Sequence, residues 1–204
     1  MESCNLRSLR DAWNLDYRMR GALYGGAPLP LPDLPPGALV LDLGCGNGKH
    51  LPVMKAKGWR IIGIDIAEEA IWICRGTADL IVGDGCTLPF KDHTFHAVIG
   101  IHILGHLTKM ARPDLIHEVE RIVRKDGTFY CTVFSTGDMR CGSGEEVEPF
   151  TYRRRGIITH YFTEEELSQL QGPFKNLTLK RDLHQVRFSG VWHTRDQFIC
   201  TFRS

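Results

Sequence analysis

The chain alternates between short apolar runs and helical stretches, and this alternation limits the possible folds more than any other feature. The five runs, in order, are ALVLDL, RIIGIDI, ADLIVGD, HAVIGIHIL and TFYCTVFS. They are continuously apolar, which is typical of strands that helices cover on both faces. Strands that alternate with helices in this way predict a doubly wound α/β sheet whose strands are mostly parallel.

The two ends of the chain depart from this alternation. The segment Ser8–Arg20 predicts an N-terminal helix, and a proline-rich connector follows it. After Ser135 the apolar pattern breaks into a loop-like stretch, and Thr163 with Glu166 three residues later predicts a capped short helix. The last two segments, LTLKRDLH and VWHTRDQFICTF, predict an antiparallel hairpin at one sheet edge. We expect one domain over residues 1–204, with the helix and connector at 1–36 and a lid or acceptor loop at 135–162.

Composition and charge exclude several classes of protein. A length of 204 residues suits one domain, and a net charge of +1 does not indicate a polyanionic partner. No apolar run approaches the ~20 residues of a membrane helix, and the polar start MESCNLRSLRD does not resemble a signal peptide. The seven cysteines include no C-x-x-C pair, which is typical of reduced thiols. We therefore expect a cytoplasmic protein without a membrane partner, as a monomer or weak dimer.

A glycine-rich turn, GCGNG at residues 44–48, follows the first apolar run. In open α/β sheets, ligands bind beyond the carboxyl ends of the strands, next to such a turn. The nicotinamide fingerprint G-x-G-x-x-G is not met, because Lys49 stands where its third glycine would be. Asp42 would repel a pyrophosphate but suits a positively charged ligand, such as an amino-acid tail beside a sulfonium. An NAD-dependent oxidoreductase is kept as the weaker alternative.

The second and third runs also end in acids. Asp65 lies 21 residues after Gly44, at the tip of the second predicted strand, where a carboxylate can accept both hydroxyls of a ribose. Asp84 can accept the exocyclic amine of adenine. The residues expected around the adenine ring are Ile66, Gly85, Cys86 and Leu88. Taken singly, Asp65 is equally well explained as a helix cap and Asp84 as a turn residue.

The segments VLDLGCGNGKH, IIGIDIA and VGDGCTLPFKDHTFHAVIGIHILGHL resemble, in order and spacing, the motifs of class I S-adenosylmethionine-dependent methyltransferases of the small type-11-like kind. The resemblance is strong from about Val40 to Phe134 and looser at Trp13, Tyr17 and the closing hairpin. One departure is KDG before the fifth run, where the family has Pro-Gly-Gly, although Gly127 is kept.

This resemblance implies a Rossmann-like, seven-stranded, mostly parallel sheet with an antiparallel C-terminal hairpin strand, and S-adenosylmethionine as cofactor. It places Gly44 and Gly46 at the methionine part, Asp65 at the ribose and Asp84 at the adenine. The full set of expected cofactor-binding residues is Tyr17, Gly44, Cys45, Gly46, Asp65, Ile66, Asp84, Gly85, Cys86 and Ile101.

His102 follows the fourth run, at the place where chemistry would occur, and is the candidate catalytic residue, with a packing or cofactor-contact role as the alternative. In-line methyl transfer depends on alignment and exclusion of water. A general base is needed only if the acceptor must lose a proton. The histidine pairs His102/His106 and His93/His96 lack a third ligand at a typical spacing, so we expect no metal site.

The sequence identifies the methyl acceptor least well. Little inserted sequence and no basic tail favour a small-molecule acceptor over nucleic acid. A tRNA- or protein-modifying methyltransferase, and a catalytically silent cofactor-binding protein, are the alternatives. Aromatic residues that could close over the site are Trp13, Tyr17, Phe150, Tyr152, Tyr161 and Phe162, for which packing at the sheet edge is an equal alternative. The basic stretch at 152–155 is expected to be a solvated loop, with binding of an anionic acceptor as the alternative.

Overall fold

The protein was analysed as a computed structural model, which describes residues 6–21 and 30–204. The start of the chain before residue 6 and part of the expected connector, including Pro28, lie outside the described residues. The helices are α1 (Leu6–Arg20), α2 (Leu51–Ala56), α3 (Glu68–Cys74), α4 (Arg112–Ile122) and α5 (Glu164–Gln169), with a 3-10 helix at Ile103–His106. The strands are β1 (Leu39–Leu43), β2 (Arg60–Asp65), β3 (Asp79–Val82), β4 (Phe95–Ile101), β5 (Val123–Phe134), β6 (Glu145–Glu148), β7 (Thr151–Arg154), β8 (Ile157–His160), β9 (Asn176–Phe188) and β10 (Val191–Arg203).

Seven of the strands form one sheet in the order β3-β2-β1-β4-β5-β10-β9. Strands β1 to β5 pair in parallel, and β10 pairs antiparallel with both β5 and β9. The predicted α/β fold, with its reversed C-terminal hairpin at the edge, is therefore confirmed.

Helices cover both faces of this sheet, which explains why the central strands are apolar without interruption. On one face, Leu41 and Leu43 belong to the same buried cluster as Leu115 and Val119 of α4. On the other face, the neighbouring residue Val40 packs with Leu51 and Met54 of α2. Adjacent strand residues point to opposite faces, so a strand buried on both faces has no polar side to show.

The boundary between α4 and β5 differs from the sequence prediction. The segment RPDLIHEVERIVRK predicts a helix that continues to Lys125, but α4 ends at Ile122, and Val123 already pairs with Phe95 of β4. The pairing register shifts between Phe95 and Ala97, so the strand begins before a local irregularity. A Cβ at Gly127 would lie 2.9 Å from the carbonyl oxygen of Arg124, which leaves no room for a side chain there. Strand pairing overrides the helical pattern of this segment.

Residues 135–162, expected to be loop-like, contain a second, three-stranded antiparallel sheet in the order β6-β7-β8. The expectation of a loop was wrong because each strand has only four residues and two of them, EEVE and TYRR, carry mostly polar side chains. The basic stretch at 152–155 lies largely on β7. The role of this segment as a lid stays a prediction.

A buried ion pair fastens the small sheet to the main domain. Arg112, only 1% exposed, donates to Glu166 at 2.8 Å. Glu166 also lies 2.7 Å from Nε2 of His160 in β8, and the Nδ1 atom of His160 lies 2.7 Å from the hydroxyl of Thr151 in β7. The predicted cap of α5 is confirmed in part, since Thr163 accepts from the backbone N–H of Glu166 at 3.2 Å. The Glu166 side chain itself serves Arg112 and His160.

Candidate functional site

The glycine turn lies at the carboxyl edge of the sheet, directly after β1. Gly44, Gly46 and Gly48 all have positive φ angles, of 73°, 54° and 77°, which L side chains rarely adopt. A Cβ at Gly48 would lie 2.6 Å from the Cβ of Cys74, so α3 packs against the bare backbone. The turn therefore presents exposed backbone to the space beyond the sheet edge.

Asp65 holds this turn in place from the end of β2. One carboxylate oxygen accepts from the backbone N–H of Gly46 and the other from that of Ala67, both at 2.9 Å. Burial raises the pKa of Asp65, and the hydrogen bonds from Ala67 and Gly46 oppose that increase. The first residue before α3 is Ala67, so Asp65 is not its N-cap. An ionised carboxylate offers about four lone-pair sites, so Asp65 can accept further donors such as hydroxyls.

Asp42 lies near the end of β1, 2% exposed, and its Oδ2 atom has no hydrogen-bond partner among the described residues. Loss of water raises the pKa of Asp42 to about 7, and the charges of Asp65 and Cys74 add to the effect. A buried carboxylate without a partner is costly. Its position beside the glycine turn fits a ligand that brings positive charge.

The ends of β1 and β3 meet at one side chain of the 3-10 helix. A Cβ at Gly44 would lie 3.0 Å, and one at Gly85 3.5 Å, from the Cδ1 atom of Ile103. Asp84 accepts from the backbone N–H of Cys86 at 3.0 Å and so shapes the loop after β3. Burial raises the pKa of the Cys86 thiol to about 12, which keeps it protonated.

The other residues expected to contact the cofactor lie around this edge of the sheet and differ in how deeply they are buried. Ile66 follows Asp65 and is half-buried, and Ile101, also half-buried, ends β4. Cys45 is buried beneath the turn, where its Sγ atom would lie 3.1 Å from a Cβ at Gly63. Leu88 is 5% exposed and belongs to the main hydrophobic cluster.

Helix α1 closes the site from outside. The hydroxyl oxygen of Tyr17 lies 2.6 Å from the position that a Cβ at Gly46 would take. Asn14 accepts from the backbone N–H of Glu69, at 3.1 Å, and Arg18 pairs with the Glu69 carboxylate at 2.7 Å. These contacts fasten α1 to α3 and bring Tyr17 onto the turn.

His102 adopts a left-handed conformation with φ of 62°, just after β4. Its ring stacks on Phe134 at 3.9 Å between centroids, and its buried Nδ1 atom has no partner in the described part of the chain. Burial lowers the pKa of His102 well below its ordinary value, with smaller effects from His106 and Arg195. The imidazole is therefore neutral at pH 7 and aimed at the carboxyl edge of the sheet with an unused polar atom.

Sequence reasoning missed the residues that flank His102. Arg195 of β10 donates to Asp138 at 2.6 Å, and its guanidinium carbon lies 4.5 Å from the centre of the Phe134 ring. Tyr161 lies on the same side, with its ring centre 6.2 Å from that of Phe134. Arg195 is brought here by the antiparallel register of β10 against β5, which no local motif encodes.

Within residues 6–21 and 30–204, no three His, Cys, Asp or Glu side chains form a group that could hold a metal ion. His106 lies 2.8 Å from the carbonyl oxygen of Ile158 through Nδ1, and His96 accepts from the backbone N–H of Leu39 at 2.9 Å. No helix in those ranges is long and apolar enough to cross a membrane.

Comparison with known proteins points to methyltransferases. Residues 41–131 match the family model described as "Methyltransferase domain". A tRNA (carboxymethyluridine(34)-5-O)-methyltransferase of Arabidopsis thaliana is 36% identical over 107 residues, which cover 52% of this chain and 26% of that protein. The enzyme of the same name from Saccharomyces cerevisiae is 36% identical over 120 residues, which cover 56% of this chain and 42% of the relative. The chain thus spans less than half the length of these relatives.

A solved structure of a SAM-dependent methyltransferase from Methanosarcina mazei shares the fold. The two superpose with a TM-score of 0.71 at 23% identity, covering 86% of this chain and 99% of the other. The sheet order, the reversed edge hairpin and the glycine turn define a class I methyltransferase fold. Residues 41–131 match a methyltransferase domain within this fold, so the expected resemblance to class I methyltransferases is confirmed.

Proposed function

We propose that this chain binds S-adenosylmethionine at the glycine turn and transfers its methyl group to an acceptor. The observation that carries the proposal is the Oδ2 atom of Asp42, buried and without a partner among the described residues. A ligand with an ammonium and a sulfonium offers the positive charge that this carboxylate lacks. A pyrophosphate would add a second negative charge at the same place.

The residues at this edge fit the parts of such a ligand. Gly44 and Gly46 lie at the place proposed for the methionine part, and the side chains of Ile103 and Tyr17 approach their backbone there. Asp65 has acceptor capacity left for ribose hydroxyls, and Asp84 stands at the next strand end for the adenine amine. When bound, the cofactor supplies a methyl group on a positively charged sulfur, and the protein's task is to align the acceptor and exclude water.

His102 is proposed to position the acceptor. Its neutral ring is fixed by stacking on Phe134, and its Nδ1 atom is available for one hydrogen bond. If the accepting atom carries a proton, the neutral ring of His102 can accept it. His102→Ala should then lower kcat more than it weakens cofactor binding.

We further propose that the acceptor is a nucleotide of tRNA. The support is the activity for which the relatives from Arabidopsis thaliana and Saccharomyces cerevisiae are named, methylation of carboxymethyluridine in tRNA. Arg195 lies on the acceptor side beside Phe134 and His102, and although it is paired with Asp138, its remaining guanidinium donors can contact a phosphate. The small-molecule acceptor expected from the sequence stays a prediction.

Two measurements test the two parts separately. Calorimetry with S-adenosylmethionine, S-adenosylhomocysteine, NAD and NADP tests the cofactor, and preferential binding of a nicotinamide cofactor would overturn the proposal. Transfer of a labelled methyl group to total tRNA, compared with a panel of small acceptors, tests the acceptor. Binding without transfer to any acceptor would identify a silent cofactor-binding protein, the alternative that the sequence left open.

A further inference from the structure

Strands β9 and β10 extend beyond the end of the neighbouring strand β5. Strand β10 pairs with β5 only from Gln197 to Arg203, and the Gln197 pair lies opposite Phe134, where β5 ends. From Asp196 back to Val191, the strand forms ladder pairs with β9 and no longer with β5. On its other edge, the backbone N–H groups of Ser135 and Met139 donate to the carbonyls of Asp196 and Thr194. At about 3.3 Å per residue, this two-stranded ribbon continues roughly 20 Å past the end of β5. We call residues 183–196 the ribbon.

The ribbon exposes large apolar side chains, two near its turn and one, Leu183, opposite Asp196 at its lower end. Trp192 is 65% exposed, and Leu183 and Val191 are 58% and 57% exposed. The guanidinium carbon of Arg187 lies 5.8 Å from the Trp192 ring centre, and its Nε donates to the carbonyl of Gly190 at 3.1 Å. Among the ion pairs of the described residues, none involves Arg187, so its charge is not balanced by a carboxylate.

The hairpin also concentrates the positive charge of the molecule. Strands β9 and β10 contain five lysines and arginines against two aspartates, a net charge of +3, whereas the whole chain has +1. The remainder of the chain is therefore negative, with −2. The ribbon itself holds Arg187, Arg195 and Asp196 of these charges. Arg195 is paired with Asp138, so within the described residues Arg187, beside the Trp192 ring, is the arginine of the ribbon without an ion pair. A cation next to an exposed aromatic ring suits a polyanion whose bases can stack.

The ribbon projects from the edge of the sheet that carries the candidate site. Its lower end is Arg195, over Phe134, and Phe134 stacks on His102. Arg195 is held there by Asp138, which also accepts from the backbone N–H of Asp196 at 3.2 Å. A strand bound along the ribbon would thus reach His102 without leaving the protein surface.

We propose that the ribbon is an arm that binds single-stranded RNA, with Trp192 stacking on an unpaired base and Arg187 contacting the adjacent phosphate. This inference rests on the proposed tRNA acceptor and specifies how its loop is held. The arm acts through binding alone and takes no part in the chemical step.

The test compares ribbon variants with a matched pair elsewhere on the surface. Trp192→Ala and Arg187→Ala alter the arm. Trp72→Ala and Arg75→Ala alter a similar pair on α3, where Trp72 is 60% exposed and Arg75 lies 3.5 Å from its ring centre. The probe is a fluorescein-labelled oligouridine, single-stranded or annealed to its complement, and binding is followed by anisotropy over a salt series.

Trp192→Ala should weaken binding of the single strand about tenfold and change duplex binding little, since only unpaired bases can stack. Arg187→Ala should reduce the slope of log K against log salt by about 0.7. The α3 variants should behave as the parent protein. With tRNA as methyl acceptor, Trp192→Ala should raise KM and leave kcat unchanged.

Three outcomes overturn the proposal. The first is equal affinity of the parent protein and Trp192→Ala for the single strand, and the second is an equal loss for single strand and duplex. The third is a concentration-dependent dimer, seen by light scattering, that Trp192→Ala abolishes, because the ribbon would then bind a second copy of the chain. Calorimetry with S-adenosylmethionine on the same variants distinguishes these three outcomes from failure of the proposed cofactor site. If the cofactor site is wrong, the parent protein will not bind S-adenosylmethionine either.

Discussion

Asp42 is a buried acid whose pKa, about 7, lies above its ordinary value of 3.8, chiefly because the folded protein removes its water. A raised pKa contributes stability that is fully present below pH 3.8 and is lost as pH rises through about 7. Asp42→Asn should therefore raise the free energy of unfolding of the ligand-free protein by up to about 4 kcal/mol near pH 8, and by less than half of that near pH 5. Urea unfolding at the two pH values measures both increases in the free energy of unfolding. Equal increases would contradict a raised pKa for Asp42.

The same residue should make cofactor binding depend on pH. Only the ionised carboxylate attracts a cation, so the affinity for S-adenosylmethionine should increase as pH rises through about 7. Asp42→Asn should bind the cofactor at least about tenfold more weakly at high pH, with the pH dependence lost. Calorimetry across this pH range measures the affinity and its dependence on pH. If Asp42→Asn keeps the pH dependence of the parent protein, another group is responsible for it.

Asp65 has two tasks, since it holds the turn and is proposed to bind the ribose. Asp65→Ala should weaken cofactor binding by about 2–4 kcal/mol, because two hydroxyls lose a charged acceptor. The free backbone N–H groups of Gly46 and Ala67 should also lower stability, which circular dichroism during heating would detect. Asp65→Asn retains a neutral acceptor and serves as the control. Unchanged affinity in Asp65→Ala would show that the ribose is bound elsewhere.

The elements of the main sheet were predictable because their sequences carry the signal locally. Val40 and Leu41 face opposite covered sides, so β1 is apolar throughout, and β2 to β5 follow the same rule. Strands β6 to β8 carry no such signal, because each has four residues and the ion pair that fastens them to the main domain joins Glu166 to Arg112, 54 residues earlier in the chain. The start of β5 was missed for the same reason, since Val123 is drawn into pairing with Phe95.

The link between the small sheet and the main domain can be tested at Glu166. Glu166→Leu removes the nearer carboxylate of Arg112, which is 1% exposed, and leaves it Glu148 at 3.9 Å. Loss of the partner of a buried charge costs up to about 3–5 kcal/mol. Urea unfolding should show that loss, and hydrogen exchange should accelerate in β7 and β8. Glu165→Leu, at an exposed position on the same helix, is the matched control. Unchanged exchange in β8 would mean that His160 and Thr151 hold the sheet on their own.

At the scale of the whole molecule, the candidate site has two halves, and the sequence predicted the residues of one half better than those of the other. The cofactor half joins strand ends that local motifs mark, at Gly46, Asp65 and Asp84, and the structure places these residues along one edge. The acceptor half joins His102, Phe134 and Arg195, which come together only through the pairing of β5 with β4 and β10. The register of a sheet is a property of the whole fold, so Arg195 could not be found from its surroundings in the sequence.

The two halves should respond to different ligands. S-adenosylhomocysteine should slow hydrogen exchange in α1 and in the loops after β1, β2 and β3, because Tyr17 and Asp65 would close around it, and it should raise the melting temperature as free ligand exceeds Kd. The far part of the ribbon should not change with this ligand, since the ribbon is joined to the sheet through β5 and Asp138. Oligouridine should slow exchange in the ribbon and leave α1 as it was. If S-adenosylhomocysteine instead protected the ribbon as strongly as α1, the two halves would form a single cooperative unit, and RNA affinity would have to increase with cofactor bound.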